Sequence, residues 1–436
     1  MASTPVATAV PAQDTAHREA TRRRLVGVLI GGVALGSTGH IAAVTVTSLV
    51  ALAITGDRSM AGVPAAVVVL GAALGATTLA ALMARRGRRI GLVAGYAIGV
   101  VGAVIAIIGV VNGSFPTLLL GSLLIGFGNS ANQLSRYAAA DLYPPDRRAS
   151  AIGIVVWAAT IGAVIGPNLV EPSGEVAMSM GLPALAGPYL VPIVLVALAS
   201  LSSLVFLRPD PYELADRTDI GAVGAAISEP IARIIRRPTV ALAILALVIG
   251  QFVMVLIMTM TPLHMTDHHH SLQAVGLVIS GHTFGMFALA PVSGKLTDRY
   301  GPIRVIYTGT AILAVAGVLS AAAPPENDLV LGVALFLLGW GWNLGFVAGS
   351  AMLSGGVSLA ERSRVQGVAD ALIWSTAAIA SLGSGVLLAS LGYASLGLLG
   401  ALLVGGVAAV FVIRSGTILD SGTGPGGGPP LQPAID

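Results

Sequence analysis

The sequence predicts an all-α membrane protein of twelve transmembrane helices, arranged as two pseudo-symmetric halves of six. Three observations predict it. Only 23 basic and 20 acidic residues occur among 436, or 10%, while 55% of the chain is apolar and the mean hydropathy is +0.88. An ordinary soluble domain carries about 25% charge. Twelve stretches reach the roughly 20 apolar residues that cross about 30 Å of hydrocarbon at about 1.5 Å per residue. The second half also repeats landmarks of the first at an offset of 214 residues. This composition excludes a soluble enzyme, a disordered chain and a nucleic-acid binder. With no cysteine, there is no disulfide, thiolate metal site or thiol nucleophile.

The spans are expected near 25–55, 60–84, 90–111, 117–138, 149–170, 182–207, 239–261, 271–294, 303–323, 329–357, 365–391 and 394–413. None shows the short alternating pattern of a transmembrane strand. The first apolar run follows Arg24 and is too long for a signal peptide, whose core is about 7–15 residues, so it is a retained span. Residues 25–207 then form one six-helix bundle and 239–414 the other, joined by a central loop at 208–238. Residues 1–24 and 415–436 are expected to be disordered tails, being rich in small polar, Gly and Pro residues.

Charge orients the bundle. Arginines precede the first span (Arg18, Arg22, Arg23, Arg24) and separate the second from the third (Arg85, Arg86, Arg88, Arg89). Arg136, Arg147 and Arg148 mark the end of the fourth span. Arg208, Arg217, Arg233, Arg236 and Arg237 fill the central loop, and Lys295, Arg299, Arg304, Arg362, Arg364 and Arg414 complete the set. All fall on one side, and only Arg58 falls on the other. By the positive-inside bias, both termini are expected in the cytoplasm. Near-absence of lysine with abundant Ala and Gly suggests a high-GC bacterial genome, and the membrane is expected to be the bacterial plasma (inner) membrane.

The repeat aligns Leu25 with Thr239, Gly87 with Gly301, Asn129 with Asn343, Arg148 with Arg362 and Gly153 with Gly367. Parallel six-helix repeats hold a solute between the halves near the bilayer midplane and rock about it. On these features the sequence resembles the major facilitator superfamily. The family's loop motif G-x-L-x-D-R-x-G is matched by Gly294, Leu296, Asp298, Arg299 and Gly301. A decayed copy keeps Arg85, Gly87, Arg88 and Arg89 but has Ala84 in the aspartate's place. The segment Asp141, Leu142, Tyr143, Pro144, Pro145, Asp146, Arg147, Arg148 is similar to the family's loop after helix 4. The resemblance covers nearly the whole chain and implies a transporter working by alternating access.

Ionisable groups at membrane depth are costly and mark function. They are His40 in span 1, Arg136 in span 4, His282 in span 8 and Asp370 in span 11. Arg136 and Asp370 either snorkel at the interface or form a salt bridge that closes one end. With Asp298 and Arg299 of the loop motif, they are the gating candidates. Asn129, Asn132, Gln133 and Arg136 share one helical face, so the three amides, with the repeat mate Asn343, are expected to line the cavity.

Residues 254–286 hold Met254-x-x-x-Met258 in span 7, His264, His268, His269 and His270 outside, and His282-x-x-x-Met286 in span 8. Depth counting lets Met254, His282 and Met286 meet near mid-membrane, with His40, the repeat mate of Met254, at similar depth. Thioether and imidazole suit copper. The two pairs resemble the signature of bacterial copper importers that supply cytochrome oxidase assembly. That resemblance implies Met254, Met258, His282 and Met286 as copper ligands, with His40 near them.

Copper import therefore ranks first, copper being a transported substrate rather than a cofactor. No cofactor or nucleic-acid partner is expected, only the lipid bilayer and the solute, with the protein a monomer. The first alternative is an organic-solute carrier such as a riboflavin importer. Its amides would hold the ligand and Trp157, Trp340, Trp342 or Trp374 would stack on a flat ring. A drug or metabolite exporter is the second alternative. The arginine that marks the superfamily's drug–proton antiporters is absent, Ser122 standing four residues before Gly126, while Gly162, Gly166 and Pro167 match the helix-5 signature in part. No nucleophile–base pair or phosphate loop suggests an enzyme. Whether aromatic or Met/His side chains converge on the central cavity discriminates the first two readings.

Overall fold

The computed structural model describes residues 12–57, 60, 62–214, 229–270, 272–324, 327–355 and 357–420, and among them there is helix and no strand. The first half comprises α1 (Ala12–Thr55), α2 (Val63–Arg86), α3 (Arg88–Val111), α4 (Phe115–Asp141), α5 (Arg148–Asn168), the short α6 (Val170–Ser179) and α7 (Gly187–Phe206). Two single turns, α8 (Pro211–Leu214) and α9 (Ile231–Ile234), belong to the connection. The second half comprises α10 (Pro238–Met258), α11 (Thr261–Asp267), α12 (Leu272–Thr283), α13 (Ala290–Tyr300), α14 (Pro302–Ala322), α15 (Asp328–Gly355), α16 (Leu359–Leu391) and α17 (Tyr393–Asp420).

Local chemistry sets the ends. Proline sits in the first turn of α2, α4, α7, α10, α11, α13 and α14, where its missing N–H is one the helix would leave unpaired anyway. Gly87 and Gly301 end α2 and α13 with φ of +89° and +83°. Only glycine takes that conformation without strain. The two residues are repeat mates, so the same backbone corner recurs in each half.

Among the described residues nine single helices are long and apolar enough to cross a membrane, and α12 with α13 makes a tenth span bent by 41°. The polar-striped α4 and the last helix, α17, occupy the two remaining expected stretches. The chain is thus a multi-pass, all-helical membrane protein. Several expected boundaries move. Residues 12–24 are helical, the start of a 44-residue α1, and residues 415–420 are helical within α17; residues 1–11, 421–436, Arg58 and Arg217 lie outside the described residues. The motif residues Gly294 to Tyr300 are the last turns of α13 rather than a loop, because the run has no breaker before Gly301. Span 8 is not one straight helix: a π-helical segment, Phe284–Ala288, separates α12 from α13.

The first half holds two buried clusters, and the cluster of the second half extends onto Ala140, Ala149, Ile152 and Val156 of the first. One first-half cluster is built on Leu25, Leu29, Met83, Leu92, Tyr96 and Tyr137, and the second-half cluster on Leu247, Leu256, Leu313, Leu335, Leu338 and Val347. Across the halves α2 packs on α16 and α5 on α13.

Candidate transport cavity

Between the halves lies a cavity of about 200 Å³, bounded by α1, α4, α5, α10, the π-helical segment, α15 and α16. The polar face of α4 reaches it as the helical spacing requires, with Asn129, Asn132, Gln133 and Arg136 all on its wall. His40, Gln251, Met254, Met286 and Asp370 join them. Phe287, Trp342, Phe346 and Trp374 add aromatic rings to the wall, and small and aliphatic side chains of α1, α5 and α16 complete it.

Two positions on one face of α15, four residues apart, place Trp342 and Phe346 in a stack with centroids 4.6 Å apart and planes at 18°. Phe287 meets Trp342 edge-on at 6.0 Å, and the Arg136 guanidinium lies 4.4 Å over the Phe346 ring. The Trp342 indole N–H donates to Gln251 Oε1 at 2.8 Å, which holds the ring's orientation. The result is a stacked pair of rings with a third set edge-on at one end and a cation at the other.

Arg136 does not snorkel: it is 2% exposed. It donates to Asp370 Oδ1 at 2.5 Å, to the Tyr137 hydroxyl at 2.9 Å, to Ser350 Oγ at 3.1 Å and to the Gln133 carbonyl at 2.5 Å. Ser350 is its own repeat mate, so the contact straddles the pseudo-symmetry axis. Three polar atoms of wall residues have no hydrogen-bond partner among the described residues: Asp370 Oδ2, Asn132 Oδ1 and His40 Nδ1. Buried polar atoms left unpaired are costly, and all three belong to residues of the cavity wall.

Beneath the cavity, toward the arginine-rich end, a layer of ion pairs and caps joins the halves. Arg88 is wholly buried and donates to Asp141 Oδ2 at 2.8 Å and to Gln366 Oε1 at 2.7 Å, while Arg362 lies 3.5 Å from Asp141 Oδ1. The Ala149 and Ser150 N–H groups donate to the Asp298 carboxylate at 3.0 and 2.9 Å. A carboxylate from α13 thus caps the positive N-terminus of α5 in the opposite half. Ala84, Asp298's repeat mate, has no side chain to do the same for α16. There the Glu361 side chain closes a capping box with Ser358 and pairs with Arg237 at 3.2 Å. Arg299, by contrast, is exposed and lies against Tyr300 at 5.3 Å, outside this layer. Replacing Asp298 with alanine is expected to cost the closed form about 1 kcal/mol, the worth of a charged helix cap. Distances between spin labels on α5 and α13, on introduced cysteines in this cysteine-free chain, should broaden toward an open population; an unchanged distribution would refute the capping role.

The methionine and histidine candidates come together only in part: His40, Met254 and Met286 share the cavity wall. Met254 and Met286 line the cavity, but Met258 is part-buried against the second-half core. His282 is 1% exposed and turned to α15, where its Nδ1–H donates to the Leu335 carbonyl at 2.8 Å, leaving Nε2 without a partner among the described residues. Asn343 is likewise not on the cavity wall. It accepts from Ser293 Oγ and donates to the Met286 carbonyl, both at 2.6 Å, satisfying a backbone group at the break in span 8. At the far end His264 stacks on Tyr393 at 4.1 Å, His268 bonds the His264 carbonyl and His270 pairs with Asp328. No group of three or more His, Asp or Glu suited to a metal gathers among the described residues.

Sequence reasoning missed Gln251, Phe287 and Phe346 on the wall, and Arg88, Asp141, Arg362 and Gln366 as the closing layer. Gln251 had a signal, being an amide inside an otherwise apolar span. Arg88 had none, since basic loop residues read as topology. Of the four tryptophans, Trp342 and Trp374 reach the cavity. Trp157 is 40% exposed on the outer surface and Trp340 packs near Phe336.

The family model described as Major Facilitator Superfamily matches residues 28–274 and 242–429. The chain is 38% identical over 390 residues to the "Uncharacterized MFS-type transporter YdeG" of Bacillus subtilis, covering 88% of this chain and 89% of that one. It is 32% identical over 374 residues to the "Riboflavin transporter RfnT" of Brucella anthropi, covering 86% and 91%. In fold it is similar to a bacterial homologue of the iron transporter ferroportin in an outward-facing state, with a TM-score of 0.72, 15% identity and coverage of 90% and 99%.

Proposed function

Because this chain belongs to the Major Facilitator Superfamily, we propose that it carries a flat organic solute of the riboflavin kind across the bacterial plasma membrane by alternating access. The arginine-rich end faces the cytoplasm in this reading, so the described conformation is closed to the cytoplasm. The observation that carries the reading is the aromatic wall of the cavity, where Trp342 and Phe346 stack and Phe287 meets Trp342 edge-on. A conjugated ring docks on such a surface by offset stacking. Asn129, Asn132, Gln133 and Gln251 supply donors and acceptors for ring heteroatoms, and the unpaired Asp370 Oδ2 is an acceptor suited to a hydroxyl or N–H donor. Similarity to a relative named as a riboflavin transporter supports the same class.

Copper import is the weaker reading. A soft-metal site needs its ligands within bonding distance of one ion, whereas only Met254 and Met286 of the four candidates share the cavity. Uptake of labelled riboflavin by a riboflavin-requiring bacterium expressing this chain tests the choice. Wild type should accumulate it, and Trp342→Ala should lower uptake about tenfold, equivalent to roughly 1.4 kcal/mol of lost stacking and burial. A Met254→Leu, Met286→Leu variant, nearly isosteric, should keep most of it. Should cells instead gain copper, and lose that gain in the methionine variant, the organic-solute reading fails.

A further inference from the structure

A second cleft, of about 480 Å³, opens at the arginine-rich end away from the transport cavity. It is formed where the α2–α3 corner meets the segment after α7. Arg85 and Arg86 from the last turn of α2, Arg89 from the first turn of α3, and Arg208 line it together with Asp210 and the rim residue Glu213. Among the described residues none of these four arginines makes an ion pair. Of the two acids that line the cleft, Glu213 is exposed and Asp210 is already engaged with backbone, accepting from the Arg88 N–H at 3.1 Å, the Arg89 N–H at 2.9 Å and the Tyr212 N–H at 2.9 Å. Arg24 adds a fifth cation nearby, donating to the Arg208 carbonyl. The cleft therefore concentrates positive charge in a concave site with guanidinium groups free to form paired bonds to phosphate oxygens.

The border of the cleft is apolar and exposed. Ile90, which lines it, is 38% exposed, and Phe206, at the end of α7, is 58% exposed. Such side chains at the edge of a spanning bundle meet acyl chains, while the arginines sit at head-group depth. We propose that this cleft is a binding site for the phosphate of an anionic phospholipid from the leaflet at the arginine-rich end. The site adjoins the closing layer, because Asp210 holds the backbone of Arg88, whose side chain bonds Asp141 and Gln366. A bound head group reinforces the corner on which that layer rests. The inference does not depend on the identity of the transported solute.

The test uses the full-length protein in neutral detergent, titrated with phosphatidylglycerol, phosphatidylcholine, inorganic phosphate or glycerol 3-phosphate. Thermal unfolding and native mass spectrometry are the readouts. Phosphatidylglycerol should raise Tm and remain as a discrete adduct, and the other three should not. Arg85→Gln, Arg86→Gln, Arg89→Gln and Arg208→Gln combined should weaken phosphatidylglycerol binding by roughly fivefold per arginine removed. A control that removes three exposed arginines elsewhere, Arg233→Gln, Arg236→Gln and Arg304→Gln, should bind as wild type. If the fourfold variant does not fold, the pair Arg85→Gln, Arg86→Gln on the exposed helix end carries the same comparison. Equal stabilisation by soluble phosphates, unchanged binding in the cleft variants, or equal loss in the control would each overturn the proposal.

Discussion

Replacing Asp370 with asparagine is expected to abolish transport and to destabilise the protein more than any other single change on the cavity wall. Arg136 and Asp370 both have side chains only 2% exposed. Their attraction offsets a large desolvation cost, so the pair is worth little compared with an apolar replacement, but either half alone is costly. Removing one partner of a buried pair typically costs about 3–5 kcal/mol. Asp370→Asn strands the Arg136 charge among Tyr137, Phe346 and Ser350, none of which can neutralise it. Arg136→Met should be comparably damaging, leaving the carboxylate alone.

The double variant Arg136→Met, Asp370→Leu separates fold from function. It removes both charges and should recover most of the Tm lost by either single change, while transport stays absent. Melting in detergent and solute uptake in cells, measured on the same three variants, check this. Wild-type Tm in Asp370→Asn would show that the pair is not the buried, coupled unit described. Swapping the two charges should not restore transport either, because the guanidinium is held by Tyr137, Ser350, the Gln133 carbonyl and the Phe346 face, and an aspartate at 136 reaches none of them well.

The second large effect is expected at a glycine contact where the halves cross. A Cβ on Gly294 would stand 2.5 Å from the Ala149 carbonyl oxygen and 2.8 Å from Ser150 Cα. A Cβ on Gly153 would collide with the Ala290 carbonyl oxygen. Both obstacles are backbone, which cannot turn aside, so helices α5 and α13 touch only because neither has a side chain there. Gly153→Leu should force them apart and prevent closure at the arginine-rich end. Uptake should fall at least tenfold, since overpacking of this kind costs roughly 1–3 kcal/mol or more. Membrane levels should stay near normal, as the helix itself tolerates leucine. Spin-label distances across α5 and α13 should lengthen; wild-type distances with normal uptake would disprove the account.

The repeat explains why this contact occurs twice. Gly367 is the mate of Gly153, and Ala80 is the mate of Gly294. A Cβ on Gly367 would collide with the Ala80 side chain and come within 2.8 Å of the Ala76 carbonyl oxygen. The α2–α16 crossing therefore has the same close approach as α5–α13, with one methyl in place of a hydrogen. That pairing was legible in outline, since Gly153 and Gly367 align at the common offset. What the offset did not reveal was the divergence of the caps, where Asp298 serves one crossing and the Ser358, Glu361 and Arg237 group serves the other.

The amino-acid sequence by itself determined the solvent, the helices, their order and their duplication. These are local quantities: a bilayer of fixed thickness demands apolar runs of fixed length, prolines favour first turns and glycines permit the corners that end helices. It also determined that Asn129, Asn132, Gln133 and Arg136 share a face, and that face does line the cavity. An i, i+4 spacing says which side chains lie together on one helix, but not which neighbour that face meets. Only the tertiary structure decided that. The π-helical segment at Phe284–Ala288 breaks span 8 between His282 and Met286, so one turns to the Leu335 carbonyl and the other to the cavity. Asn343, the mate of a cavity amide, is drawn instead to the Met286 carbonyl within that segment. Depth along an axis is a one-dimensional property of the chain; rotation about that axis is set by the packing of the other helices.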